Sequence, residues 1–428
     1  QNNAMYLRDR VTESLGNLYA MHWPFLQPET ARHVRKSAIH DRLLDHGACF
    51  GETAGWERPN WFAPVGVKPI YEYSYGRQNW FEYSAQEHKA CRENVALFDQ
   101  SSFAKYVFQG RDAEQILNKV CANNVSVPMG KVVYTPWLND QGGIEADLTI
   151  TRLEEEKFLI VTSCTQQTRD YYWLKSHIPT GAHAMLTDVT SGYAMLGLMG
   201  PNSRHVITRL SNSDFSNEAF PFATSQLIEL GYAQVRASRI TYMGELGWEL
   251  YMPVEFLPSV FDDLMQAGGD YKLQLAGYHA LNSLRIEKAF KHWGHDIAVE
   301  DTPLEAGLGF AVAFDKNEEF IGRDALLRQK ESGLKRRMVQ FLLDDPEPMM
   351  YHEEPIWRNG QIVGSTTSAM YGHTLGACVA LGFIENQKGI TTDWIKSGRY
   401  EIEIACKKYP ARVSISPLYD PKSKRTKL

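Results

Sequence analysis

The chain has 428 residues, of which 43% are hydrophobic and 22% are charged, and its formal net charge at pH 7 is -6. This length provides two to four domains of ordinary size, and the composition is typical of globular proteins. The net charge gives no electrostatic reason to expect nucleic acid or an anionic membrane as a partner, and no apolar run approaches the roughly eighteen residues needed to span a bilayer.

The six cysteines are scattered and form no C-x-x-C pair, which argues against a disulfide framework and a thiolate zinc site and favours a reducing compartment. The sequence begins at Gln1, without an initiating Met, a signal peptide or a basic transit segment. We therefore expect a processed or truncated chain, whose targeting cannot be read directly.

Residues 1–78 contain many prolines and aromatic residues, as in W-E-R-P-N-W-F-A-P at Trp56 to Pro64. Short helical patterns at Tyr6 to Asn17 and Ile39 to His46 lie among helix breakers. This segment is predicted to be a connector without a core of its own.

From about Asn79 the pattern becomes regular and predicts an α+β unit with ferredoxin-like order. Strands are predicted at Phe103 to Gly110, Lys131 to Leu138, Ile144 to Leu153 and Phe158 to Thr162, and helices at Arg111 to Cys121 and Gln166 to His177. The glycines of N-D-Q-G-G permit the positive φ angles of a hairpin turn between the second and third strands.

A similar alternation follows, with strands at Tyr193 to Met199, Gln234 to Tyr242 and Trp248 to Met252 and helices at Asn202 to Leu210 and Glu255 to Ala267. Two related units in tandem explain this alternation, although no strict sequence repeat is present. After the basic residues 335–337 the chain becomes rich in strands, at Met338 to Leu343, Gln361 to Ser365, Cys378 to Ile384 and Arg399 to Ala405, which predicts a small β-barrel or sandwich. The predicted domains are residues 1–78, 79–334 and 335–428.

Several catalytic and cofactor signatures are absent from the sequence. It has no G-x-G-x-x-G after an N-terminal strand, no Walker A sequence, no G-x-S-x-G elbow and no kinase signature set. His292 and His295 lack a third ligand at suitable spacing, so a polar loop is predicted there and no metal site.

Three stretches contain candidate functional residues, and each also has a purely structural interpretation. Asp147 lies in G-G-I-E-A-D-L-T-I, where strand alternation puts it on the face of Glu145 and opposite Ala146 and Leu148. The pattern does not decide which face is interior. The alternative is that Asp147 is a surface acid of the hairpin.

The second stretch is Y-M-G-E-L-G-W-E-L, from Tyr242 to Leu250. Gly244 and Gly247 fit a hairpin turn that brings Tyr242 and Glu249 towards each other. A buried carboxylate beside an aromatic ring suits a pterin, because it can accept hydrogen bonds from the ring's amino group and its adjacent N–H together. The alternative is a hairpin with an exposed Glu.

The third stretch is L-N-S-L-R-I-E-K-A-F-K-H-W-G-H-D, from Leu281 to Asp296, whose apolar spacing predicts a helix reaching about Phe290. Arg285 and Glu287 are candidate site residues or ordinary surface charges. Phe290 and Trp293 are candidate ligand contacts or ordinary core residues.

Taken in order, these and other motifs resemble the aminomethyltransferase family, which comprises the glycine-cleavage T-protein and the C-terminal halves of sarcosine and dimethylglycine dehydrogenases. The resemblance covers nearly the whole chain. Its ending, K-S-G-R-Y and S-P-L-Y-D-P-K-S-K-R, looks most like that of the mitochondrial sarcosine dehydrogenases, while R-Q-N-W-F-E and G-L-K-R-R are more similar to dimethylglycine dehydrogenases. The other motifs of the resemblance are G-W-E-R-P-N-W-F-A-P, V-Y-T-P-W-L-N-D-Q-G-G-I-E-A-D-L, G-E-L-G-W-E-L, S-L-R-I-E-K, T-P-L-E-A-G-L, F-I-G-R-D-A-L and the T-T-S segment at Thr366 to Ser368.

The resemblance implies two tandem ferredoxin-like folate-binding units followed by a C-terminal β-barrel. It also implies that tetrahydrofolate captures a one-carbon unit, an iminium or formaldehyde derived from an N-methyl amine, as 5,10-methylenetetrahydrofolate. FAD would belong to an N-terminal domain of the same polypeptide that is missing here, with residues 1–78 as its tail and connector. The family members further imply a mitochondrial matrix location.

By the same resemblance, Asp147 is the catalytic acid near the folate N5 and N10 atoms, and Tyr242 and Glu249 bind the pterin. Phe290 stands where relatives often carry Tyr, which preserves stacking but leaves one hydrogen bond to the ligand in doubt. Arg285 is assigned to the folate site with these residues. The T-protein has two adjacent acids where this chain has Ala146 and Asp147.

Two other functions fit the same scaffold. One is a non-catalytic regulatory subunit similar to that of pyruvate dehydrogenase phosphatase, against which the retention of Asp147, Tyr242 and Glu249 argues. The other is a free-standing aminomethyltransferase, to which the connector at residues 1–78 would be foreign.

Overall fold

The computed structural model describes residues 3–428. No helix in this range is both long and apolar enough to cross a membrane. The α-helices of the range are α1 (Ala4–Gly16), α2 (His40–Asp45), α3 (Phe81–Glu93), α4 (Ala113–Val120), α5 (Gln167–Ser176), α6 (Ser203–Thr208), α7 (Leu257–Gly268), α8 (Tyr278–Glu287), α9 (Pro303–Ala306), α10 (Arg323–Ser332) and α11 (Thr392–Ser397).

The strands form a hairpin, two open sheets and a barrel. In chain order they are β1 (Ala48–Thr53), β2 (Trp56–Phe62), β3 (Val95–Asp99), β4 (Ala104–Gln109), β5 (Val132–Leu138), β6 (Ile144–Glu154), β7 (Lys157–Thr162), β8 (Met185–Asp188), β9 (Tyr193–Met199), β10 (Ser225–Leu230), β11 (Ala233–Ser238), β12 (Gly247–Pro253), β13 (Leu273–Leu275), β14 (Arg336–Leu343), β15 (Pro355–Arg358), β16 (Gln361–Gly372), β17 (Ala377–Glu385), β18 (Tyr400–Ile404) and β19 (Lys407–Ser414).

The two open sheets share one strand order, apart from a single strand that is inserted in the second sheet. The first is β5-β6-β7-β4-β8 and the second is β10-β11-β12-β9-β3-β13. Strands β4, β6, β7 and β8 with helices α4 and α5 give the ferredoxin-like order, and β5 adds an edge strand. Strands β9, β11, β12 and β13 with α6 and α7 repeat that order, with β10 at the edge and β3 inserted between β9 and β13. The tandem ferredoxin-like architecture predicted from the sequence is therefore confirmed.

Each sheet buries one face against its own helices. The apolar residues of α4 and of α7 follow the spacing i, i+3, i+4, i+7, which places them on one side of a helix. They join separate cores, one for each sheet. The buried residues in question are Ala113, Ile116, Leu117 and Val120 in α4 and Leu257, Val260, Phe261 and Leu264 in α7.

The opposite faces of the two sheets meet in the middle of the molecule. Leu159 and Val161 of β7 pack against Met195 of β9 and Tyr251 of β12 in a small apolar cluster. Side chains that share these faces therefore point into the region between the sheets.

Residues 336–414 close into a six-stranded barrel in the order β14-β17-β16-β15-β18-β19. Val339, Phe341 and Leu343 of β14 point into the barrel core. Met338 and Leu342 alternate with them and pack outward, in the same cluster as Ile286 of α8. The predicted small β-domain is thus a barrel, and α8 lies between it and the second sheet.

The predicted connector is more structured than the sequence suggested. Its two short helices are present as α1 and α2, but the Pro-rich stretch forms the hairpin β1–β2. Glu87 of α3 accepts hydrogen bonds from the backbone N–H groups of Phe62 at 2.7 Å and Gly277 at 2.8 Å. The hairpin therefore packs onto the segment that follows it, and the predicted boundary at residue 78 remains a prediction.

Candidate functional site

Asp147 lies on β6, immediately after the predicted hairpin. The Asn139 side chain accepts hydrogen bonds from the backbone N–H groups of Gln141 and Gly143, and Gly142 has φ +82°. A Cβ atom at Gly143 would lie only 1.8 Å from the carbonyl oxygen of Val299, so this position requires glycine. The turn sequence thus fixes the start of β6 and the direction of its side chains.

The structure decides which face of β6 is occupied by Asp147. Ala146 and Leu148 belong to the core between the first sheet and its helices. Asp147 lies on the other face, which it shares with Thr149, the cross-strand neighbour of Val161. Asp147 is half-buried and points towards the second sheet, so the interpretation as a surface acid of the hairpin is wrong.

The surroundings of Asp147 favour a carboxyl group that titrates near neutral pH. The hydroxyl of Tyr134 on β5 donates a hydrogen bond to Asp147 Oδ2 at 3.0 Å. Burial raises the pKa of Asp147 to about 6, although this hydrogen bond and the charge of Lys291 lower it. At pH 7 the group is mostly a carboxylate that can accept a proton.

Glu249 lies on β12, where it pairs with Ser238 of β11 and Gly197 of β9. The hydroxyl of Tyr251 donates a hydrogen bond to Glu249 Oε2 at 2.5 Å. Burial raises the pKa of Glu249 to about 7, and the hydrogen bond from Tyr251 lowers it in part. The interpretation of Glu249 as an exposed hairpin residue is therefore wrong.

The predicted tight hairpin around Gly244 and Gly247 is also wrong. Strand β11 ends at Ser238 and β12 begins at Gly247, so residues 239–246 form a loop that contains Tyr242. The Tyr242 ring is nearly parallel to that of Phe290, with 6.0 Å between the ring centroids. Its hydroxyl donates to the backbone carbonyl of Lys291 at 2.8 Å.

Arg285 is buried on α8, so the interpretation as a surface charge is wrong here too. Its guanidinium donates to Asp296 at 2.6 Å, to the Phe290 carbonyl at 3.0 Å and to the Ser368 hydroxyl at 3.1 Å. Burial would raise the pKa of Asp296, but the charge of Arg285 and the hydroxyls of Ser368 and Thr367 lower it below its ordinary value. The Arg285 Nε atom is buried and has no hydrogen-bond partner.

Four of the predicted site residues form one cluster, and the carboxyl group of Glu249 is separate from it. The charges of Arg285, Asp147 and Asp296 all act on the pKa of Tyr242, which burial raises. Glu249 lies on the facing sheet and makes its hydrogen bond with Tyr251. The structure therefore groups Asp147, Tyr242, Phe290 and Arg285, and places Glu249 apart from them, on the face of the second sheet that is turned towards the first.

Sequence reasoning missed four members of this region: Tyr134, Tyr251, Lys291 and Asp296. Burial lowers the pKa of Lys291 to about 8, and its carbonyl holds Tyr242. Asp296 ends the stretch that contains the candidates Arg285 and Phe290, but no pattern in the sequence indicated a role for its carboxylate. The T-T-S segment belongs to the family resemblance, but its hydrogen bonds to Asp296 through Thr367 and Ser368 depend on the packing of the barrel against α8.

The histidines of that motif do not form a metal centre in the described part of the chain. The rings of His292 and His295 lie 4.6 Å apart. Within residues 3–428 no group of three or more His, Cys, Asp or Glu side chains is arranged to hold a metal ion.

Two cavities of the molecule lie outside the cluster. One is lined by Phe25, Trp80 and neighbouring residues, and the other, of about 290 Å³, by Arg35, Trp56 and Thr190 among others. Neither contains a predicted site residue. The candidate site is therefore identified from the facing sheets and from the buried Arg285 Nε atom, which has no hydrogen-bond partner.

Comparison with protein families gives three matches along the chain. Residues 39–316 match the GCVT N-terminal domain, and residues 336–420 match the glycine cleavage T-protein C-terminal barrel domain. Residues 1–37 match the FAD dependent oxidoreductase central domain.

Three curated relatives are similar over almost the whole chain. A 4-methylaminobutanoate oxidase (formaldehyde-forming) of Paenarthrobacter nicotinovorans is 45% identical over 99% of this chain and 51% of its own length. The mitochondrial pyruvate dehydrogenase phosphatase regulatory subunit of Mus musculus is 36% identical over 98% of this chain and 50% of its own length. Human mitochondrial sarcosine dehydrogenase is 35% identical over 99% of this chain and 50% of its own length. The chain therefore spans about half the length of these relatives.

The fold is also found in a solved structure. The glycine cleavage system aminomethyltransferase T of Bartonella henselae superposes with a TM-score of 0.76, covering 91% of this chain and 99% of that one at 24% identity. This likeness confirms the overall fold.

Proposed function

The chain belongs to the glycine cleavage T-protein family, and from this premise we propose that it is the tetrahydrofolate-binding part of an N-demethylating flavoprotein. In this proposal tetrahydrofolate takes up the carbon of an oxidised N-methyl group, as an iminium or as formaldehyde, and 5,10-methylenetetrahydrofolate is formed.

One observation supports the proposal most strongly. Glu249 is a buried carboxyl group whose Oε2 atom is bound by Tyr251, while Oε1 has no hydrogen-bond partner in the described residues. A carboxylate oxygen that no protein group binds, on a residue that is only 8% exposed, is free to accept hydrogen bonds from a ligand that brings N–H donors. The amino group and adjacent N–H of a pterin supply such donors.

The other wall of the site fits the remaining requirements of this ligand. The parallel rings of Tyr242 and Phe290 offer an aromatic surface, and the free Nε atom of Arg285 offers a buried donor. We propose that Tyr242, Glu249, Phe290 and Arg285 bind the folate.

Tetrahydrofolate supplies two nucleophilic nitrogens, which condense with formaldehyde and release water. We propose that Asp147 orients one of them and accepts the proton lost as the carbon–nitrogen bond forms. The two sheets and the barrel would contribute orientation and exclusion of water.

The flavin part of the proposal depends on residues 1–37. Helix α1 has no buried residue, and Met5, Val11, Leu15 and Tyr19 on it and just after it are strongly exposed. Exposed apolar side chains in such number are typical of a packing surface. We propose that they pack against an FAD domain of the same polypeptide, and the division into residues 1–78, 79–334 and 335–428 is proposed with it.

The substrate and the location are proposed from the names of relatives. 4-Methylaminobutanoate and sarcosine are both N-methyl amino acids, which makes this class the proposed source of the carbon. We propose a mitochondrial matrix location from the mitochondrial relatives of mouse and human. The relative with 45% identity is bacterial, so this location is proposed only for a source organism that has mitochondria.

A regulatory role is the second candidate, because the phosphatase regulatory subunit is 36% identical to this chain. It predicts no one-carbon transfer. The positions of Asp147 and Glu249, on facing walls with raised pKa values, favour the enzymatic candidate.

Calorimetric titration of the 428-residue chain with tetrahydrofolate tests the proposal. We expect saturable binding, and Glu249→Ala should weaken it by about ten- to a hundredfold through loss of charge-assisted hydrogen bonds. Glu229→Ala, at an exposed position of β10, is the matched control and should bind as the original chain does. Equal affinity in both variants would contradict the site, and binding without formation of methylenetetrahydrofolate from added formaldehyde would favour the regulatory candidate.

A further inference from the structure

The segment that follows the barrel runs back across the molecule to the loop that contains Tyr242. We define residues 417–426 as the C-terminal strap. The backbone N–H of Leu418 donates to the Gln340 side chain of β14 at 2.8 Å, and that of Tyr419 donates to the Glu287 carbonyl of α8 at 3.1 Å. Further along, Asp420 accepts a hydrogen bond from Lys288 through its carbonyl oxygen at 2.7 Å. The strap is thus anchored along α8.

The strap ends on Glu245, a residue of the loop 239–246. The Glu245 side chain is fully buried and receives three donors. These are the Tyr419 hydroxyl at 2.5 Å, Arg425 Nε at 2.9 Å and Arg92 Nη1 at 3.1 Å. Two of the three come from the strap, so the strap supplies most of the partners of this carboxylate.

Arg92 of α3 connects the same loop to α8. Its guanidinium lies 3.8 Å from the centre of the Tyr419 ring and donates to the Met243 carbonyl at 2.7 Å and to Glu287 at 2.9 Å. With Arg425, the two arginines balance the charges of Glu245 and Glu287. A buried group of charges is tolerated when it is paired and hydrogen-bonded in this way, and removal of one member leaves the others uncompensated.

The position of Glu245 in the loop relates this network to the candidate site. Glu245 lies three residues after Tyr242, two before the start of β12 and four before Glu249. On the same stretch a Cβ atom at Gly244 would lie 2.3 Å from Cγ of Lys288, the residue that binds the strap at Asp420. The loop is therefore held from its outer side, while Tyr242 extends from it towards Phe290.

We propose that Tyr419 and Arg425 are positioning residues of the folate site. They hold the loop 239–246 through Glu245 and thereby determine the positions of Tyr242 and Glu249. The inference rests on the proposed function. Because each group acts through Glu245 and touches no ligand, the network affects binding by fixing the geometry of the site in advance.

The test compares Arg425→Met and Tyr419→Phe with Lys424→Met, a neighbouring strap residue whose side chain is exposed. Tetrahydrofolate affinity is measured for each in the original chain and in the Glu249→Ala background, with hydrogen exchange of the backbone over residues 239–249. Arg425→Met should weaken binding about tenfold and Tyr419→Phe about threefold, with a smaller further loss in the Glu249→Ala background, where the strap variants act on binding only through Tyr242. Exchange should rise over 239–249 and stay unchanged in the barrel strands.

Several results would overturn the inference. Unchanged affinity in both strap variants would do so, as would an equal loss with and without Glu249, or exchange that rises equally throughout the chain. Tyr419→Phe removes one hydroxyl and keeps the test available if Arg425→Met fails to fold. If the original chain binds no tetrahydrofolate, the proposed function fails, and the exchange measurement still tests whether the strap holds the loop.

Discussion

The hydroxyl of Tyr251 donates a hydrogen bond to Glu249 Oε2 across 2.5 Å, and both side chains are buried between the two open sheets. The two residues are neighbours on one face of β12, two positions apart. Tyr251 also packs against Leu159 and Val161 of the first sheet, which fixes the direction of its ring. The contact therefore orients Glu249 and occupies one of its oxygens.

This contact predicts the pH dependence of folate binding. Burial raises the pKa of Glu249 to about 7, and the ionised form is the better acceptor for a pterin. As the pH falls from 8 to 6 the group takes up a proton, so affinity measured by calorimetry should fall by about tenfold.

Tyr251→Phe removes a hydrogen bond that lowers the pKa of Glu249, so the loss of affinity should begin at higher pH in this variant. Glu249→Gln cannot titrate, and its weaker binding should be nearly independent of pH over this range. A profile in Glu249→Gln as steep as that of the original chain would assign the titration to another group.

Much of the site's position was predictable from the sequence, because it depends on local patterns. The turn N-D-Q-G-G determines where β6 begins, and the alternation after it puts Asp147 opposite Ala146 and Leu148. The apolar spacing of α8 likewise placed Arg285 and Glu287 on a helix. These inferences needed only the neighbouring residues.

What the sequence could not provide depends on distant contacts. The face of Asp147 became clear only because β7 packs against β9 and β12, and such packing has no local signal. Glu249 pairs with Ser238 because residues 239–246 form a loop, and in this loop Glu245 accepts hydrogen bonds from Tyr419 and Arg425, which are more than 170 positions away in the sequence. The two glycines of the motif suggested a shorter turn.

Asp147→Asn should leave tetrahydrofolate affinity largely intact and slow methylenetetrahydrofolate formation from formaldehyde by about a hundredfold or more, since the variant cannot accept a proton. In the original chain the rate should fall as the pH drops through about 6, where Asp147 becomes protonated. Tyr134→Phe should move that fall to higher pH, because the Tyr134 hydrogen bond lowers the pKa of Asp147. Stopped-flow measures these rates, and the control is Asp140→Asn, at an exposed acid of the preceding turn. A normal rate in Asp147→Asn would remove this residue from the mechanism.

Phe290→Ala removes one of the two parallel rings of the aromatic wall and should weaken tetrahydrofolate binding by about tenfold. Phe290→Tyr keeps the ring and should bind at least as well as the original chain, because the aromatic surface is preserved and the added hydroxyl can donate a hydrogen bond. Tyr232→Ala, at a fully exposed tyrosine, is the control in the same fluorescence titration. Equal affinities for Phe290→Ala and Tyr232→Ala would show that the wall does not contact the ligand.

The pair Arg285–Asp296 should affect stability far more than an exposed pair with similar geometry. Asp296→Ala leaves the buried guanidinium of Arg285 without its carboxylate and also frees the hydroxyls of Thr367 and Ser368, so a loss of about 3–5 kcal/mol is expected. The exposed pair Arg42–Asp262 has a separation of 2.9 Å, and Asp262→Ala should cost less than about 1 kcal/mol because water and salt screen it. Urea unfolding of the two variants beside the original chain measures the difference. Asp296 connects α8 with the T-T-S segment of β16, so the loss of unfolding free energy should appear in a transition that the barrel and the second sheet share. Equal small losses in both variants would show that the buried pair does not stabilise the association of the barrel with the second sheet.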